Sequence, residues 1–125
     1  MKRLTIRETV RLHKLLWDWL VRNPTESKID AFYSDPELME YEAKFGVPQD
    51  CCFGCEQVMQ RKMNIRHVDC CDCIFEWMPG TMSGCGHNRS AWKRWVACAT
   101  GDPLRPEYAK QVRDLPLKKR YQRYL

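Results

Sequence analysis

At 125 residues, with 44% apolar and 30% charged side chains, the chain has the size and composition of one soluble globular domain, which excludes extensive disorder and a second core. No apolar run approaches the roughly 18–20 residues that span a bilayer, and the charges in MKRLTIRETVRLHK stand where a secretory signal needs an uninterrupted apolar segment, so a reducing cytoplasm is expected. There eight cysteines point to metal rather than disulfides, and four thiolates on one zinc would lower the formal charge of +5 to about +3, too mildly basic to argue for nucleic acid by itself.

The first predicted element is a helix. Thr5-Ile6-Arg7-Glu8 fits a capping box, in which Thr5 and Glu8 satisfy the orphan amides of the helix start. Ile6, Val10, His13, Trp17, Leu20 and Val21 recur on one stripe, and Leu12, Leu16 and Trp19 widen it, so burial over much of the circumference is expected. His13 reads as a hydrogen-bonded core histidine rather than a ligand. Asn23-Pro24 ends the helix. Residues 25–35 are polar and read as a connection, with Ile29, Phe32 and Tyr33 touching the core. Asp35-Pro36-Glu37 opens a short second helix through Leu38, Met39 and Tyr41, which Gly46 stops, completing the helices of residues 1–46.

Residues 47–88 form the expected zinc-binding region; from Cys51 to about His87 clean periodicity is lacking, and a metal is expected to replace a core there. Helix returns in SAWKRWVACA, residues 90–99, with Trp92, Trp95, Val96 and Cys98 or Ala99 inward. Gly101-Asp102-Pro103 breaks the chain, and Arg105-Pro106 opens a helix through Tyr108, Ala109, Val112 and Leu115 that Pro116 stops. These helices occupy residues 89–116. Residues 117–125, LKKRYQRYL, form a basic aromatic tail, either a last helical turn or an ordered arm. The expected fold is a small, mainly α, single-domain protein with an irregular zinc-knuckle centre, stapled by a four-cysteine zinc site.

The site itself is read from CFGCEQVMQRKMNIRHVDCCDC. Cys52-x-x-Cys55 and Cys70-x-x-Cys73 can each close a tight turn whose backbone amides point at the sulfurs. Two such turns, fourteen residues apart, bring four thiolates to a tetrahedron, which zinc accepts without redox consequences. Gly54 and Asp72 suit the tight backbone. The register stays open, because Cys51 and Cys71 adjoin the pairs and Cys85 and His87 follow in GCGHN. Cys85 is the alternate ligand, and a second metal would draw on Cys51, Cys71, Cys85, His87, His67 and Cys98.

Rival chemistries fit less well. A thioredoxin-type pair belongs at a strand-to-helix junction of a βαβ pattern, and no strand precedes CFGC. A cysteine nucleophile beside His67 or His87 lacks an oriented third residue. An open catalytic zinc would want a general base, and neither Glu56 nor Glu76 has a partner for that role. Phosphate loops and dinucleotide fingerprints are absent, and no catalytic residue is assigned.

TIRETVRLHKLLWDWLVRNP, VPQDCCFGCE, CCDCIFEW, the later Gly-Cys, the helix from Ser90 to Trp95 and EYAKQVRDLP together carry a resemblance over most of the length. The chain resembles small cysteine-rich proteins of unknown function encoded in bacteriophages and prophages, chiefly of Gram-positive hosts. By that resemblance Cys52, Cys55, Cys70, Cys73 and Cys85 take the family's cysteine positions, and Trp17 and Trp77 its aromatic ones. Ile74 stands where the family has proline, and Cys51 and Cys71 are additional. The resemblance implies a zinc-stabilised fold and a phage origin, so the expected cytoplasm is that of a host cell, and it implies no reaction.

Two functional expectations follow. One is a non-enzymatic interaction protein that binds and inhibits a host or antiphage-defence protein, for example a CRISPR effector, with tryptophans, tyrosines and arginines as anchors. Against it, Trp17, Trp77, Trp92 and Trp95 are needed for a small core. The alternative is a nucleic-acid-binding zinc protein. Arg113, Lys118, Lys119, Arg120 and Arg123 interleave with Tyr121 and Tyr124, and Arg61, Lys62 and Arg66 between the cysteine pairs extend the patch. Neither expectation involves a membrane or sets an oligomeric state.

Overall fold

The computed structural model describes residues 4–48, 53–62, 73–78, 85 and 87–125, with backbone alone at 59, 61 and 62. Helix α1 (Ile6–Arg22) starts as its sequence requires: Thr5 Oγ1 accepts from the Glu8 amide at 3.0 Å, and the Thr5 amide donates to Glu8 Oε1 at 3.4 Å. Asn23 caps the other end, donating to Trp19 O from its amide. Leu12, Leu16 and Leu20 form the centre of the buried face, with Ile6, Val10 and Val21 half-buried at its flanks. The stripe is therefore rotated relative to the expected one. Thr9 is fully buried because its hydroxyl donates to Thr5 O at 2.7 Å, which satisfies the polar atom inside the core.

The polar connection expected at 25–35 is in fact a second helix, α2 (Lys28–Phe32), capped by a reciprocal Ser27–Asp30 box. Phe32 and Ala31 are buried, whereas Ile29 and Tyr33 are 53% and 60% exposed, contrary to expectation. The inward edge runs through positions 28, 31 and 32, and Lys28 lays its stem there with Nζ 5.4 Å from the Trp92 ring centre. Helix α3 (Pro36–Phe45) begins at Asp35, whose Oδ1 accepts from the Glu37 and Leu38 amides at 3.0 and 3.2 Å. It ends at Gly46, where φ is +78°. Leu38 and Tyr41 face inward and Met39 faces out.

The centre expected to be irregular contains a regular helix, α4 (Phe53–Lys62). Its inward positions are Phe53, Gly54, Gln57 and Val58, two of which are not apolar side chains, so no periodicity betrays it. Phe53 lies 5.7 Å from the Phe32 ring and 5.2 Å from Tyr41, and Gln60 Oε1 accepts from the Leu4 amide at 2.7 Å, tying α4 to the start of α1.

Ser90 caps α5 (Ala91–Ala97) by accepting from the Lys93 amide. Trp95 is buried and Trp92 packs half-buried against the core, as the spacing predicts, whereas Val96 is exposed because seven residues present a narrow edge. Helix α6 (Arg105–Arg113) packs on α1 and α5 through Ala109 and Val112. Arg105 is buried: its guanidinium lies 4.1 Å from the Trp95 ring centre and Nη1 donates to Pro24 O and Glu26 O at 2.6 and 3.1 Å.

The fold is mainly helical, and among the described residues the strand-like pairing is one isolated antiparallel bridge, Phe75 with Leu117. No described helix is long and apolar enough to cross a membrane. The core gathers around α1, with Trp17 edge-on to Trp95 at 5.0 Å and Ile74, Phe75 and Trp77 joining it from the segment after Cys73.

Candidate metal centre and C-terminal arm

Cys55 lies on α4, two residues after Phe53. Cys73 is buried, with 5% of its surface exposed. Its sulfur lies against Gly54: a Cβ built on Gly54 would stand 2.9 Å from Cys73 Sγ and 3.1 Å from Phe75 Cδ2. The absence of a side chain at Gly54 is what lets the second cysteine segment reach the first. The two segments meet in space, as a shared metal would require.

The remaining sequence-derived ligands fall in two groups. Cys52, Cys70, Cys51, Cys71 and His67 lie outside the described residues, as does Arg66. Among the described residues no group of three or more Cys, His, Asp or Glu gathers as a metal site. Cys85 adjoins the start of α5, where its carbonyl accepts from the buried Ser90 hydroxyl. His87 Nδ1 accepts from the Arg89 amide at 3.0 Å, which leaves the ring proton on Nε2. Burial and the nearby Asp102 carboxylate push the Cys98 thiol up, away from the thiolate a metal needs.

His13 sits in the core, as expected. Its Nε2 lies 2.7 Å from Val112 O, and the ring stacks on Phe75 at 4.0 Å. Burial lowers its pKa from 6.5 to about 4, so it is neutral and donates to the carbonyl. This histidine joins α1, the end of α6 and the segment after Cys73.

The C-terminal tail is an arm docked on that same segment. Lys118 donates its amide to Ile74 O at 2.8 Å, and Glu76 donates to Pro116 O at 2.9 Å. Leu117 is buried between them, and Tyr121 packs half-buried on the core. From there a 3₁₀ helix (Lys119–Tyr124) passes beside α1 with Lys119, Arg120, Arg123 and Tyr124 exposed and Lys118 half-buried. The Arg120 and Arg123 guanidinium groups lie 5.0 and 4.9 Å from the ring centres of Tyr121 and Tyr124. Arg113, grouped with this tail from sequence, is instead engaged by Asp114 and Asp18 at 2.9 and 3.0 Å. Arg61 and Lys62 close the backbone of α4, some distance in sequence from the arm.

Two site features differ in how far sequence reveals them. The pairing of 116–118 with 74–76 joins segments some forty residues apart and leaves no local pattern. The sequence KRYQRY, by contrast, repeats Arg-Tyr with a period of three, the period of a 3₁₀ helix. Trp17, Trp19, Trp77 and Trp95 are all buried, so they are core rather than interface anchors. A groove of about 210 Å³ between α1, α3 and α4 is lined by Glu8, Arg11, Glu37, Glu40, Tyr41 and Lys44. Four of its charges pair, Arg11 with Glu37 and Lys44 with Glu40, and Glu8 accepts from the Thr5 amide.

No protein-family model matches the chain, and neither a curated protein nor a solved structure does.

Proposed function

We propose that this is a non-enzymatic interaction protein whose helical scaffold is stapled by one zinc on Cys52, Cys55, Cys70 and Cys73. The observation that carries the staple is the seating of Cys73 Sγ on Gly54, inside the first cysteine pair. Zinc suits it because four cysteine sulfurs match its tetrahedral preference and a d¹⁰ ion adds no redox chemistry. Metal analysis of the purified chain tests this: about one zinc per chain is expected, with loss of helix on chelation and recovery on adding zinc back. A metal-free protein with full helix content would overturn it.

For the partner, the docked arm favours nucleic acid. It places Lys119, Arg120 and Arg123 on an ordered, exposed support, with no acidic residue after Asp114 in the sequence. The resemblance to phage proteins supports a second reading, in which the partner is a host or antiphage-defence protein such as a CRISPR effector. Ile29 and Tyr33, exposed on the outer edge of α2, are surface that such a partner would cover. A salt titration separates the two: nucleic-acid binding weakens steeply with salt. If the folded chain binds neither DNA nor RNA at low salt, a stoichiometric protein recovered from infected host extract becomes the expected partner.

A further inference from the structure

The arm has a geometry that narrows its ligand. In a 3₁₀ helix side chains three apart are eclipsed and successive turns rise about 6 Å. Arg120 and Arg123 therefore share one edge of the helix, and Tyr121 and Tyr124 share the next. Each arginine lies over the ring that follows it, so the arm is a ladder of two Arg-Tyr rungs. The lower rung is set against the core through Tyr121, and the upper one is exposed, with Tyr124 48% accessible.

We propose that this ladder is a contact surface for single-stranded nucleic acid, and that the cysteine clamp assembles it. The exposed ring argues for a single strand. An exposed tyrosine offers a ring face only to an unpaired base. Six residues rising about 2 Å each also make a support too short to follow a major groove.

The clamp enters through the backbone. The arm's root bonds to Ile74 and Glu76, one and three residues beyond Cys73, and Cys73 is the sulfur seated on Gly54. Releasing Cys73 loosens one end of the strip on which the arm is docked, which Ile74 and Phe75 otherwise hold in the core. This part rests on the zinc staple proposed above; the ladder itself does not.

The test uses the full zinc-loaded chain with a fluorescent oligothymidine of about 20 nucleotides and the matching duplex, followed by anisotropy across a salt series. Binding of the single strand should exceed that of the duplex, with a log–log salt slope of about −2 for three phosphate contacts. The double variant R120A/R123A should flatten the slope to about −0.7, and Tyr124→Ala should weaken binding about tenfold with the slope unchanged. Leu117→Asp should keep the zinc and lose the binding, because it undocks the arm alone. Equal or tighter binding of the duplex, or wild-type binding by R120A/R123A, would overturn the ladder while leaving a measured zinc intact. Unchanged oligothymidine binding after chelation would overturn the clamp's part and leave the ladder standing.

Discussion

Gly54 has no room for a side chain, and the reason lies outside its own helix. A Cβ at this position would meet Cys73 Sγ at 2.9 Å, closer than real Cβ contacts come. Gly54→Ala should force the sulfur or the Phe75 ring aside, cost about 1–3 kcal/mol and lower zinc content, as read by urea denaturation and metal analysis. Gly101 has open space where its Cβ would go, so Gly101→Ala should stay within about 0.5 kcal/mol. Stability unchanged in both would refute the seating. Arg105 is the other demanding residue. It holds Pro24 O and Glu26 O with one nitrogen and covers Trp95, so Arg105→Ala should lose about 2–3 kcal/mol in the same assay. Neither demand is visible locally: glycine in a Cys-x-x-Cys turn and arginine before a proline both have innocent explanations in sequence.

Helix ends are readable wherever a side chain caps its own backbone. Thr5 with Glu8, Asp35 before Pro36, Gly46 and Ser90 all mark the boundaries that the chain adopts. Ser27 with Asp30 obeys the same rule, but its helix of five residues shows too little periodicity to stand out from a connection. Helix α4 is hidden for a different reason, since glycine and Gln57 occupy half of its buried face. The arm's docking depends on one buried anchor. Leu117→Ala should cost about 2–5 kcal/mol and expose the Lys118–Lys119 region to trypsin, an outcome that limited proteolysis followed by mass measurement would detect. A variant as protease-resistant as the wild type would show that the arm is held by its other contacts.

For the molecule as a whole, His13 sets an acid limit. Its folded pKa of about 4 lies below the ordinary 6.5, so the unfolded chain binds more protons between those values and stability falls as pH drops through that window. The shift corresponds to about 3 kcal/mol, present in full above pH 6.5 and lost near pH 4. His13→Gln keeps a donor for Val112 O without a titrating ring. Denaturation from about pH 7.5 to 4 should therefore be flatter for the variant, and parallel curves would refute the assignment. Loss of cysteine thiolates in acid would act on both proteins alike, so the difference between them isolates the histidine.

By itself the sequence determined the helical class, the caps at Thr5, Asp35, Gly46 and Ser90, a buried His13 and the presence of a cysteine-rich centre, because these rest on spacing and on residues that bond to their own neighbours. Tertiary structure decided which edge of each helix turns inward, that Lys28 rather than Ile29 meets the core, and that the basic tail folds back onto residues 74–76. It also decided that Cys73 rests on Gly54. Those outcomes depend on contacts between segments far apart in the chain, where shape and burial choose among faces that periodicity leaves equivalent.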